Sequence, residues 1–437
     1  MRFAYLCLAP PNKKHVDGLA FKGATFFRLA DYDAMRLSRL SAGLGDFIYV
    51  DERVEDAQAP AGTDLAVIPV HAPVVSRAFE LGKRLKGQGI TVVMFGRYPT
   101  LKPGSCRKYC DTLVQGDITA VWPEVVFDAK NKCLRPVYES NGMVSFDVDR
   151  RWEDKLGMFP LMSQLHTAVG CACSGAERAY CIHGIYHPDV KIMEQAEAIA
   201  AVAAIKKKIV WLLDDDAFFD PVRAEHFFRH VWQFRKQWIV QASDRVFVRP
   251  GLLRVLRDSG VRIIILKEDW LPFQLLLDWR NVPQLLKQKR RQVDAIHHRR
   301  ILAGARIRLD LNRGQTFNPW EVHDVLRGLR VDFVELSMTT PIAGSPKYQE
   351  LRRRGLLATE NADLYNRHNA VVRTSLVPET LSDLAETFRD RFYSWDGIVT
   401  RCAKTFSRVG IYNTLLFNLS TNLAYRENHL ERAGFPP

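Results

Sequence analysis

The feature that most constrains this chain is a repeated alternation of short, β-branched apolar runs with stretches of helical spacing. Phe3–Leu8, Asp46–Val50, Asp64–Val70, Ile90–Phe95 and Thr112–Gln115 each read as buried strands. Between them, Pro73–Gln88 places Val75, Phe79, Leu81 and Leu85 on one helical face and ends in Lys83, Arg84 and Lys86. Strands and helices in this order predict an α/β fold with a doubly wound parallel sheet. Ligands in such sheets sit beyond the carboxyl ends of the strands. Here those ends carry Pro10–Lys14, His71–Pro73 and the turn Gly96–Thr100. Asn131–Ser140 reads as a hairpin or linker, and Asp147–Phe159 as an inter-domain connection.

A second series starts at Met162. Its strands are Met162–Val169, Lys208–Leu213, Trp238–Gln241, Val261–Leu266, Ala305–Leu311 and Phe333–Met338. Ile192–Lys207, Pro221–Lys236, Gly251–Ser259, Leu275–Ala303 and Pro319–Leu329 are the predicted helices, with Phe227, Phe228, Val231 and Trp232 as a core stripe. Six strand-plus-helix units imply a barrel or open part-barrel, whose chemistry sits at the carboxyl ends of its strands. The run Asp214, Asp215, Asp216, the tip Lys267-Glu268-Asp269 and the turn Thr339-Thr340-Pro341 all fall there. A carboxylate at such a tip holds an ammonium or a ribose hydroxyl. The competing reading of the acidic run is a helix N-cap, for which Asp220 is also placed. Lys347–Pro437 is charged and helical, a cap on the barrel.

With 437 residues, the chain has room for two or three domains. The formal net charge of +13 is partly local, in Lys287–Arg291, His297–Arg300 and Arg352–Arg354. These runs lie in helical segments and read as solvated faces. No RNA-binding aromatic motif or zinc-finger spacing accompanies them, so nucleic acid is not an expected partner. No apolar run reaches the roughly 18–20 residues that span a bilayer. The start, MRFAYLCLAPPNKK, reads as a first buried strand rather than a signal peptide. A cytoplasmic location is expected, and there the eight cysteines serve as thiols or ligands rather than disulfides.

Three cysteines gather in Gly170–Gly184, at Cys171, Cys173 and Cys181, just past a predicted strand. Thiolates in such a loop suit an iron–sulfur cluster or a zinc ion. The alternative is three reduced thiols in a turn. Cys106 and Cys110 sit four apart in the first series and read as a local thiol pair.

Several long stretches, in one order, resemble the cobalamin-binding radical SAM enzymes. In the first half they are IYVDERVEDAQ, DLAVIPVHAPVVSRAFELGKRLKGQGITVVMFGRYPTLKP and VQGDITAVWPEVVFD. In the second half IVWLLDDDAFFDPVRAEHF is similar to the family's second barrel strand and helix, and LSMTTPIAGSPKYQELRRRGLL to its closing strand and turn. The segment 365–394 is similar to its usual C-terminal run. The resemblance implies a Rossmann-like cobalamin-binding-type domain over residues 1–145. A partial (β/α)6 radical SAM-type barrel over 146–345 and a helical region over 346–437 follow. It implies a [4Fe-4S] cluster on Cys171, Cys173 and Cys181, with S-adenosylmethionine near Asp214, Asp215, Asp216, Glu268, Asn312 and Thr340. It also implies cobalamin near Gly96, Tyr98 and Thr100.

The departures are specific. The family's cluster loop is Gly-Cys-x3-Cys-x2-Cys, and counting from Cys171 its later ligands fall on Gly175 and Arg178, neither of which binds iron. Cys173 and Cys181 replace them only in a remodelled loop. Where the family has Gly-Gly-x-His-Pro-Thr, this chain has Phe95-Gly96-Arg97-Tyr98-Pro99-Thr100, and Phe95 is expected to fill the corrin's space. No Asp-x-His-x-x-Gly is present, so no histidine ligand to cobalt is expected; His15 is the nearest candidate. Two readings follow. One is a radical enzyme performing methyl transfer or a rearrangement at an unactivated carbon, with a small-molecule substrate and a reductant protein. The other is a catalytically degenerate homologue that binds a ligand or serves as a partner subunit.

Overall fold

A computed structural model describes residues 1–9, 29–140, 142–156, 161–170, 187, 189–311 and 314–426. Cys171, Cys173, Cys181, Asn312 and His15 lie outside the described residues.

The first series forms a six-stranded, all-parallel sheet: β1 Arg2–Cys7, β2 Asp46–Asp51, β3 Leu65–Pro69, β4 Thr91–Phe95, β5 Thr112–Gln115 and β6 Val137–Glu139. Its order is β2-β1-β3-β4-β5-β6. The chain therefore leaves β1 to one side for β2 and returns to the other side for β3. That reversal is a topological switch point, the place where an open α/β sheet opens a crevice for ligand. Helices cover both faces, which is why all of Leu65–Pro69 is buried and reads as an unbroken apolar run. The segment expected to be a hairpin or linker instead ends in β6, which adds parallel to β5 with Val114 opposite Tyr138. A three-residue strand at a sheet edge is too short to show a period in the sequence.

The second series forms another six-stranded parallel sheet. Its strands are β7 Met162–Leu165, β10 Ile209–Leu212, β11 Gln237–Ala242, β12 Val261–Leu266, β13 Leu302–Leu309 and β14 Phe333–Met338. They pair strictly in chain order, β7 to β14, the connectivity of an open half-barrel. A two-stranded antiparallel ribbon, β8 Ala168–Val169 and β9 Lys191–Ile192, brackets the cysteine-bearing loop. β13 starts three residues earlier than predicted, because Leu302, Ala303 and Gly304 are buried between neighbouring strands. Ala303 and Gly304 carry little β-propensity, and the sequence pattern alone ran the preceding helix through Ala303.

Two expectations about helix faces change. Phe227, Phe228 and Val231 are core residues, but Trp232 is 61% exposed, because the helix Pro221–Val231 tightens to a 3-10 turn at that point. The basic runs are not wholly solvated: in the helix Pro283–His298 both Lys289 and His297 are buried, Lys289 bonding to Asp244 at 2.8 Å. The tail serves both bodies. Tyr348, Tyr365 and Val371, with Ala343 just before the tail, join the core of the first sheet. Phe388, Phe392, Phe417 and Tyr425 join that of the half-barrel. No helix among the described residues is long and apolar enough to cross a membrane.

Candidate cofactor and active-site cleft

The carboxyl edges of the two sheets meet. Gln164 on β7 donates to the carbonyl of Ala30 at 2.6 Å, and His166 packs edge-on against Tyr32 with centroids 4.6 Å apart. His187, on the far side of the cysteine loop, lies with Nε2 4.0 Å from Asp117 at the tip of β5. Asp117 is itself held by the buried Arg36, at 2.8 Å, and by the Thr119 hydroxyl at 2.6 Å. Thus Ala30 and Tyr32 beyond β1, Asp117 at the tip of β5, the end of β7, and His187, beyond the cysteine-bearing segment, are tied together by these contacts.

Each strand-tip residue singled out in the sequence and described here has a definite place. Asp214 is buried and accepts from the Thr167 N–H at 2.6 Å, the Thr167 hydroxyl at 2.5 Å and the Ala168 N–H at 3.0 Å. It ties the tip of β10 to the ribbon strand that enters the cysteine loop. Burial lifts its carboxyl to about 6, against the opposing pull of those donors. Asp216 accepts from the Phe218 N–H at 2.9 Å and the Ser243 hydroxyl at 2.5 Å, joining the tips of β10 and β11. Asp220, not the acidic run, caps the helix Pro221–Val231. Asp215, between the two anchors, is partly buried. Glu268, beyond β12, is gripped by Arg308 at 2.9 Å and by Arg367. The Thr340 hydroxyl bonds back to the Met338 carbonyl at 3.2 Å.

On the first sheet, Gly96 has φ +105°, and a Cβ there would lie 3.1 Å from the Val70 carbonyl. Only glycine turns the chain so tightly against β3. Rather than a simple turn, Arg97–Leu101 is a short helix. The Thr100 hydroxyl donates to the Gly96 carbonyl at 2.7 Å and accepts from the Gly116 N–H at 2.9 Å, locking the tips of β4 and β5 together. Tyr98 packs edge-on against Phe79, 6.2 Å between centroids, and burial raises its phenol above the ordinary value. Phe95 is fully buried beside Tyr5, centroids 6.0 Å apart, so its ring goes into the sheet's core and not, as expected, into the crevice. The alternation of side chains along β4 decides this.

Cys106 and Cys110 are a buried local pair, the Cys110 thiol donating to the Cys106 carbonyl at 3.5 Å. Burial pushes both thiols up to about 12, so both are neutral near pH 7. Among the described residues no group of three or more His, Cys, Asp or Glu side chains is disposed to hold a metal. Sequence reasoning missed Arg36, His187, Arg306 and Arg367. Two arginines in one otherwise apolar strand, Arg306 and Arg308 in LAGARIRL, were the legible signal.

A switch-point parallel sheet joined to a six-stranded parallel half-barrel defines a mixed α/β fold. The chain's relatives agree with that class. It is similar in structure to the radical S-adenosylmethionine methyltransferase TsrM from Kitasatospora setae, solved with cobalamin and a [4Fe-4S] cluster bound. The TM-score is 0.57 at 14% identity, over 82% of this chain and 78% of that one. It is 20% identical over 331 residues to the bacteriochlorophyllide d C-12(1)-methyltransferase of Chlorobaculum tepidum, covering 73% of each chain. No protein-family model matches the chain. By sequence the chain is related to a methyltransferase, and by fold it is similar to a cobalamin-binding radical SAM enzyme.

Proposed function

We propose that this chain is a radical S-adenosylmethionine methyltransferase acting at an unactivated carbon of a small molecule. In this reading Cys171, Cys173 and Cys181 hold a [4Fe-4S] cluster, the tips of the half-barrel receive S-adenosylmethionine, and the β1/β3 crevice receives cobalamin. The supporting observation is that the carboxyl edges of the two sheets meet, and that the residues flanking the cysteine-bearing segment are held there, Thr167 by Asp214 and His187 beside Asp117. Both relatives named above are methyltransferases. When bound, the cluster supplies one-electron reduction and the corrin a methyl carrier.

The chain's own part is positioning. Asp214 fixes where the loop begins, and Asp216 holds β10 and β11 in register beside it. Arg36 and Asp117 close the opposite wall with a buried ion pair. Gly96 lets the tip of β4 lie close against the end of β3, while Phe95 fills the core.

Anaerobic reconstitution tests the reading. A brown protein with about four irons and four sulfides per chain is expected, with the iron lost in Cys171→Ala and Cys181→Ala. Cobalamin should stay with the protein through desalting. The interrupted ligand spacing, with Gly175 and Arg178 at two ligand positions, favours the alternative of a degenerate homologue that binds without radical chemistry. Colourless, iron-free protein after reconstitution would select that alternative.

A further inference from the structure

We propose that Arg308, Arg367 and Ser337 form a seat for a carboxylate of the substrate at the mouth of the half-barrel, an assignment that rests on the enzymatic reading above. In the β13–β14 pair Arg306 lies opposite Glu335 and Arg308 opposite Ser337. Alternation along the strands puts these four side chains on one face.

They form two layers. In the lower one Arg306 pairs with Glu335 at 2.8 Å and also donates to Gln241. That layer is buried, hydrogen-bonded and neutral. In the upper layer one carboxylate serves two cations: Arg308 takes one oxygen of Glu268 at 2.9 Å, and Arg367 takes the other. Arg367 also donates to the Ser337 hydroxyl at 3.1 Å. Two guanidiniums on one carboxylate leave a single positive charge in excess. The Arg308 side chain is 51% exposed and that of Arg367 31%, so both guanidiniums keep N–H donors open to solvent.

The backbone supports the same assignment. Arg367 has φ +68°, a conformation that a long side chain rarely adopts. It is held there by its carbonyl, which accepts from the Met338 N–H at 2.7 Å at the end of β14. The strained residue is the one whose guanidinium enters the mouth. A planar monoanion matches both the excess charge and the forked donors.

Benzoate and its neutral isostere benzamide separate charge recognition from simple burial. Binding is measured by saturation-transfer NMR on the purified full-length protein, before any cluster is rebuilt. Benzoate should bind at least about tenfold more tightly than benzamide. Arg308→Gln and Arg367→Gln should each abolish that preference, and Arg308→Lys should retain part of it, because charge survives while the fork is lost. Thermal melts of each variant report whether it is folded. Equal binding of the two probes, or a preference unchanged in both folded glutamine variants, would overturn the seat. So would displacement of benzoate by S-adenosylmethionine together with a matching loss of S-adenosylmethionine affinity in both glutamine variants, for the seat would then belong to the co-substrate. Iron content does not enter this measurement, so a failed reconstitution and a failed carboxylate preference are told apart.

Discussion

Thr167 donates twice to Asp214, through its backbone N–H at 2.6 Å and its hydroxyl at 2.5 Å. The two residues are 47 positions apart, and their contact joins the start of the cysteine-bearing loop to the second strand of the half-barrel. Asp214→Ala leaves three buried donors without an acceptor. Such a loss costs at least about 2 kcal/mol. The urea midpoint should fall accordingly, and iron retention after reconstitution should fall with it. A variant as stable as the parent would show that the tip of β10 does not hold the loop.

Acid titration gives a second handle on Asp214. Its folded carboxyl sits at about 6, lifted first by burial, against about 4 in an unfolded chain. Burial lifts Asp33 in the same direction. Between about pH 4 and pH 6 the folded state therefore binds more protons than the unfolded one. Stability from these groups is greatest at the acid end of that window, falls as pH rises through it, and levels off above it. Asp214→Asn should flatten part of this slope in urea midpoints taken across the window, with Asp33 supplying the remainder. Parallel curves for parent and variant would contradict it.

Asp332 is a buried junction between the half-barrel and the tail. Its carboxylate accepts from His297 at 2.9 Å, the Ala303 N–H at 2.8 Å and the Thr405 hydroxyl at 2.7 Å. Its carbonyl accepts from Asn422 at 3.1 Å. Asp332→Ala should destabilise the protein by about 3–5 kcal/mol. Thr405→Val removes one bond and should cost about 1–2 kcal/mol. Chemical denaturation compares the two, and the order Asp332 above Thr405 is the expected result.

Gly96→Ala puts a methyl 3.1 Å from the Val70 carbonyl at a backbone angle that L-residues avoid. A cost of about 1–3 kcal/mol follows. Gly104→Ala is the control, since nothing lies within 4 Å of a Cβ there and no positive φ is involved. The control should melt with the parent. If both glycine variants behave alike, the turn after β4 is not as constrained as its geometry indicates.

The succession of strands β1 to β5 along the chain, the α/β class and the place of Asp214, Glu268 and Thr340 at strand tips were determined by the sequence alone. Those features depend on local periodicity, which neighbouring residues carry. The pairing β2-β1-β3 and the meeting of two carboxyl edges were decided only by tertiary structure, because they join segments far apart in the chain. The same holds for the duties of individual side chains. Asp214 became an anchor through Thr167, Glu268 was taken by Arg308 and Arg367, and Tyr98 turned to Phe79. A strand tip specifies where a carboxylate stands, but what it holds depends on which donors the fold brings within about 3 Å.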